Sequence, residues 1–192
     1  MLLLSQEQGY QLAQARSTAN DAIRAVALQR DRIKERDDDA YFAAAGFRQE
    51  VDVAFLLIAL RWLRNACHLI AKLTGSQPLA EAVGDFDRRL PGVKDMRDIR
   101  EHLHDYIPGD GRLQEATTAP DRLVPPGSIA KRTWLGHDEL SHFIWAGKEI
   151  QLDAALPAAE ALFRAMQEAI EPYVARDDHG QDIGIQVEAP NG

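Results

Sequence analysis

Long stretches of helical apolar spacing alternate along this chain with short breaks rich in Gly, Pro or Asp. From Ser5 to Asp38, the residues Leu12, Ala15, Ala19, Ile23, Val26 and Ile33 form one apolar stripe, and Ser5 is placed to cap the helix. The acidic run Asp37–Asp39 ends that helix and opens a new one. The strongest helical signal is "RQEVDVAFLLIALRWLRNACHLIAKLTG", Arg48–Gly75. It is apolar around most of its circumference, as expected at the centre of a bundle, and Gly75 supplies a C-cap. A shorter third helix runs from Gln77 to the Pro91-Gly92 stop. A fourth follows from Val93, with Val93, Met96, Ile99, Leu103 and Ile107 as its buried stripe.

Beyond Pro108 the pattern changes to Gly, Pro, Thr and Asp, which reads as a long loop to Ser128. "HFIWAGKEIQLD" then holds two β-prone runs joined by Ala146-Gly147, a hairpin signal. Asp153 is placed to cap a last helix, with Pro157 in its first turn, that Pro172 ends. The expected architecture is all-α: a bundle of about five helices with a small β-hairpin inserted before the last one. Residues 1–176 form a single domain, with the loop and hairpin insertion at about 108–153, and residues 177–192 read as a flexible tail.

Length and composition agree with one globular unit: 192 residues, 45% hydrophobic and 27% charged. The longest uninterrupted apolar run, Val53–Leu60, is too short to span a membrane. The N-terminal "MLLL" lacks the basic region of a signal peptide. The single Cys67 excludes an internal disulfide and fits a reducing compartment, so a cytoplasmic location without membrane attachment is expected. A net charge of −8 argues against broad electrostatic capture of nucleic acid. The segment Arg88–Arg112 departs from that average, with six Arg/Lys against five Asp/Glu, so a nucleic-acid site would have to be local.

The chemistry concentrates in "VKDMRDIREHLHDYIPGDGR", Val93–Arg112. Arg97 and His102 fall on opposite flanks of the buried stripe, about 140° apart. Asp98 and Tyr106 accompany His102, while Arg100 and His104 lie near Arg97. Groups so divergent can share a cleft where two such helices cross, which suggests a homodimer. His102 and His104, two apart on a helix, point about 200° from each other and cannot share an ion. With no Cys pair or His-x-x-x-His, metal binding is not expected, nor is any cofactor. On the second helix, Arg61, Arg64, His68 and Lys72 make a basic stripe that is either an ordinary solvated face or a phosphate-facing one. Arg64 and His68 are its candidate substrate-binding residues, with Arg100 from the fourth helix. His137, His142 and His179 have no evident partners in the sequence.

The segment "RDIREH", Arg97–His102, resembles the motif of the HEPN superfamily (higher eukaryote and prokaryote nucleotide-binding): Arg, then Asn, Asp or His, three residues, then His. Its position late in a helical bundle, after a long apolar helix and before a Tyr-containing turn, is similar too, over roughly residues 48–112. The resemblance implies a metal-independent endoribonuclease, often a toxin or defence effector, whose paired motifs build one site in a dimer. His102 would then move a proton at the ribose 2′-hydroxyl or the leaving oxygen. Arg97 would hold the phosphate, and Asp98 would orient groups around it. Some members carry Tyr two residues after the His. Here that spacing is His104–Asp105–Tyr106, which lacks an Arg five residues upstream because position 99 is Ile, so His104 is a rival histidine. The implied partners are RNA, a second copy, and an antitoxin or regulatory protein. Other members of the superfamily lack activity and act as interaction or nucleotide-binding modules. Here Trp134, Phe143 and Trp145 provide aromatic surface suited to a partner or to packing the hairpin.

Overall fold

A computed structural model describes residues 4–34, 42–115, 123–125, 128–130, 132–135 and 142–187, and all structural statements concern these. The order is α1 (Gln6–Lys34), α2 (Phe42–Thr74), α3 (Gln77–Arg89), α4 (Gly92–Glu101), a single turn α5 (Leu103–Tyr106), β1 (Arg132–Leu135), β2 (His142–Trp145), β3 (Lys148–Gln151), α6 (Leu152–Ile170), β4 (Val174–Arg176) and β5 (Asp182–Ile185). The protein is a helical bundle carrying two small antiparallel sheets.

Local chemistry explains three of the helix ends. The Ser5 hydroxyl accepts from the Gln8 N–H while the Gln8 side chain accepts from the Ser5 N–H, a reciprocal cap at the start of α1. Gly75 ends α2 at φ 66°, and the Ser76 hydroxyl accepts from the Leu79 N–H to start α3. Asp153 behaves differently from the expected cap: Gln151 holds that position, and Asp153 instead pairs with Lys34 of α1 at 2.5 Å.

Helix α2 is the central element, packing against α1, α3, α4 and α6. Its part from Glu50 to Thr74 is long and apolar enough, by length and composition, to cross a membrane, which corrects the reading from uninterrupted runs. Its apolar residues have another destination, since 56% of its most apolar window is buried inside the fold. Leu56, Leu57, Leu60, Leu63, Cys67 and Ile70 meet Leu12, Ala19, Ala22 and Val26 of α1 and the inner faces of α3, α4 and α6 in one continuous core. A second side of α2 exposes Phe55, Trp62 and Leu69 at seven-residue intervals.

The inserted hairpin is one part of a three-stranded sheet, β1-β2-β3, because β1 pairs with β2 outside the β-prone run seen in sequence. Ala146 (φ 54°) and Gly147 (φ 72°) form the tight turn between β2 and β3. Phe143, Trp145 and Ile150 face the core, and the Trp145 indole N–H donates to the Ile129 carbonyl at 2.9 Å. The aromatic residues of β2 therefore serve packing. His142, without an evident partner in sequence, faces the Glu149 carboxylate across β2 and β3. Trp134 lies on β1, and His137 lies outside the described residues.

The segment expected as a loose tail pairs instead. β4 and β5 form a hairpin, Leu4 bridges Val187, and Arg16 of α1 meets Asp182 at 2.5 Å. A Cβ on Gly9 would overlap the Val187 side chain, so glycine is what lets α1 lie under this strand. Residues 188–192 lie outside the described residues.

Candidate functional site

The Arg97–His102 segment is held by both layers of the fold. Val93, Met96 and Ile99 anchor α4 on α2. On its other side, Gly92 sits so close to β3 that an added Cβ would overlap the Glu149 carbonyl. Asp95, almost fully buried, meets Lys148 of β3 at 3.5 Å. The sheet thus fixes where the motif helix begins.

The fourth helix does not continue to Ile107. It ends at Glu101, and His102 takes φ −110° and ψ 30° before the short turn α5. This break redirects every residue after it. Ile107, expected in the buried stripe, is 69% exposed, and Tyr106, expected on the polar flank, is 3% exposed. The Tyr106 ring packs against Gly111 so closely that a Cβ there would overlap it. Its hydroxyl accepts from the Leu113 N–H at 3.2 Å, and its carbonyl accepts from the Gln114 side chain at 3.0 Å. Tyr106 is therefore a structural anchor for the following loop. It brings Arg112 back over the helix.

The result is an open cleft of about 240 Å³ lined by Asp98, His102, Asp105, Tyr106 and Arg112. Asp98 is its ionic centre, meeting Arg97 and Arg112 at 3.2 Å each. Arg97 also meets Glu101 at 2.6 Å, one turn on. His102 stands exposed at the rim, with its Nδ1 3.8 Å from the Asp105 carboxylate. His104 lies 3.2 Å from the same carboxylate on its other side. The two imidazoles, expected to diverge on a straight helix, come to 6.3 Å between ring centres because the helix breaks between Glu101 and Leu103. His102 lines the cleft; His104 does not. Arg100 is exposed on α4.

The structure joins Arg97, Asp98, His102 and Tyr106 around one place, and it adds Arg112, which in the sequence stands at the start of the expected loop. The only sequence signal for Arg112 was its position just past a Pro-Gly turn. Its contact with Asp98 spans fourteen residues and depends on that loop folding back. Among the described residues, no group of three or more His, Cys, Asp or Glu side chains comes together to hold a metal ion.

Arg64 and His68 occupy a different region. Arg64 is clamped by Asp87 of α3, its Nε and Nη2 reaching the carboxylate at 2.7–3.2 Å. Burial, reinforced by Arg64 and Lys72, pushes the His68 pKa down, which disfavours its charged form. Arg61 connects this region with the motif, because Arg64, Asp98, Arg97 and Asp87 all act on its charge.

No family model, no curated protein and no solved structure matches this chain.

Proposed function

We propose that the protein is a HEPN-like, metal-independent endoribonuclease, working in the cytoplasm as a homodimer in the manner of a toxin or defence effector. The observation that supports it is the convergence of His102, Asp98 and Arg112 on one cleft, with Arg97 bonded to Asp98. In this reading RNA lies across the cleft so that the Arg97 and Arg112 guanidiniums face a phosphate, a geometry suited to paired N–H donors. The exposed imidazole of His102 takes the 2′-hydroxyl proton, and the 2′-oxygen attacks the adjacent phosphorus. The bond to the 5′-oxygen breaks, and the departing oxygen is protonated by the His102 of the second copy. The products are a 2′,3′-cyclic phosphate and a free 5′-hydroxyl.

The test is cleavage of a fluorogenic RNA in EDTA by wild type, Arg97→Ala, His102→Ala and His104→Ala. Loss of the imidazole is expected to slow cleavage by roughly 10²–10⁴-fold, and His104→Ala is expected to stay close to wild type. No cleavage of any RNA by the purified protein, or rates unaltered by His102→Ala, would refute the reading.

One observation favours a second reading, a non-catalytic interaction module: Arg97 is already engaged by Asp98 and Glu101. The exposed residues Phe55, Trp62 and Leu69 on α2 would suit a regulatory protein partner. Toxicity on overexpression that disappears with His102→Ala favours the nuclease. A harmless protein that co-purifies with a partner favours the module.

A further inference from the structure

A second cleft, about 360 Å³, opens where α2 passes the end of α3 and the start of α4. Its charged lining is Arg61, Arg64, Lys94, Asp87 and Asp95. Both carboxylates are occupied: Asp87 is held by Arg64 through three contacts of 2.7–3.2 Å, and Asp95 faces Lys148. Arg61 and Lys94 have no such direct contact, although the nearby Asp98 and Asp87 carboxylates offset part of the Arg61 charge. Among the described residues, neither makes a side-chain hydrogen bond or an ion pair.

Arg61 is the unusual member. It is half-buried, and an unpaired guanidinium in such a place keeps its charge at a cost. Burial and the Arg64 guanidinium press its pKa down, Arg97 adds to this, and Asp98 and Asp87 push it part of the way back. An anion entering the cleft would remove the cost. The wall opposite Arg61 adds to the same preference. Helix α4 starts there, with Pro91 at its cap position providing no side-chain bond to the first turn. The first turn of that helix lines the cleft, so the positive end of its dipole borders it, offset in part by the Asp95 carboxylate of the same turn.

We propose that this cleft binds a phosphate group, with Arg61 and Lys94 as the principal ligands and Arg64 held in place beside them by Asp87. A phosphate suits the arrangement because its oxygens can accept from a planar guanidinium, an ammonium and backbone N–H groups at once. Phe86 and Leu90, also in the lining, give the rest of a nucleotide an apolar wall. The binding claim stands apart from cleavage, since it uses neither Arg97 nor His102. If both hold, the cleft seats a phosphate neighbouring the one that reacts, because Arg61 lies within electrostatic reach of Arg97 and Asp98.

Isothermal titration of the full chain at low salt tests this with three probes: inorganic phosphate, adenosine 5′-monophosphate, and a 2′-O-methyl oligoribonucleotide without terminal phosphates, which cannot be cleaved. Arg61→Gln and Lys94→Gln are each expected to weaken binding about tenfold. Circular dichroism confirms that each variant is folded. Binding of the oligoribonucleotide that Arg61→Gln and Lys94→Gln both weaken identifies an internal phosphodiester as the ligand, and binding of the first two probes alone identifies a terminal phosphate. Wild type that binds none of the three, or affinities unchanged in both variants, would overturn the proposal. Because the oligoribonucleotide cannot react, this result is independent of whether the protein cleaves RNA.

Discussion

Tyr106 shows how one side chain can belong to chemistry and to structure at once. Its ring fills the space left by Gly111, and its hydroxyl satisfies the N–H of the fully buried Leu113. Removing that oxygen leaves a buried donor unpaired, a loss of about 1–3 kcal/mol. Tyr106→Phe is therefore expected to lower the unfolding free energy by roughly that amount in urea titrations. It is also expected to loosen the loop carrying Arg112, so any cleavage activity falls less than it does in His102→Ala. A Tyr106→Phe protein as stable as wild type would show that the hydroxyl contact is not made. The same loop explains Asp98, whose carboxylate is held between Arg97 and Arg112 from opposite ends of the stretch.

Among the elements, α4 positions the cleft, and its end at Glu101 leaves His102 outside the helix. Both of its ends are defined by close approaches. At the start, Gly92 touches β3, and at the end the break at His102 turns Tyr106 inward. Gly92→Ala forces a Cβ against the Glu149 carbonyl, an overpacking effect expected to cost about 1–3 kcal/mol. Thermal unfolding should show the loss directly. Because the displaced helix start forms a wall of the second cleft, phosphate affinity should fall together with stability. A variant that melts like wild type would mean that α4 does not rest on the sheet in this way.

For the protein as a whole, stability depends on the layer of apolar residues around α2, and Cys67 reports on it. Burial pushes the Cys67 thiol up to about 12. Its folded-state pKa thus lies above the unfolded value, so the folded state holds the proton more tightly. The corresponding stability is complete below the ordinary thiol pKa near 9 and is lost as pH rises from there toward about 12. Stability measured by denaturant titration should decline over that window, and less so in Cys67→Ala once its lower starting stability is subtracted. In the native protein at pH 8, Cys67 should resist thiol reagents until unfolding exposes it. Rapid labelling under native conditions would contradict its place in the core. The C-terminal hairpin contributes to the same packing through Val187 on Gly9 and Asp182 on Arg16.

The spacing of apolar residues was enough to locate α1, α2, α3 and α6, because a helix that buries one face repeats that face in its sequence. It also located the turn between β2 and β3, where two successive positive φ angles fall on Ala146 and Gly147. The segment with the candidate chemistry, Arg97–His102, was legible as well, since its residue types and spacing are local. The site's shape was not. Periodicity extends a helix until a breaker stops it, and no Gly or Pro marks His102, so the break, the exposure of Ile107 and the burial of Tyr106 were hidden. Arg112 on Asp98, the β4–β5 hairpin on α1, and the unpaired Arg61 beside Lys94 all depend on contacts between distant segments. The sequence by itself determined which residues are apolar, charged and close along a helix. Tertiary structure alone decided which charges neutralise one another and which are left facing a cleft, because that balance is set by packing between elements.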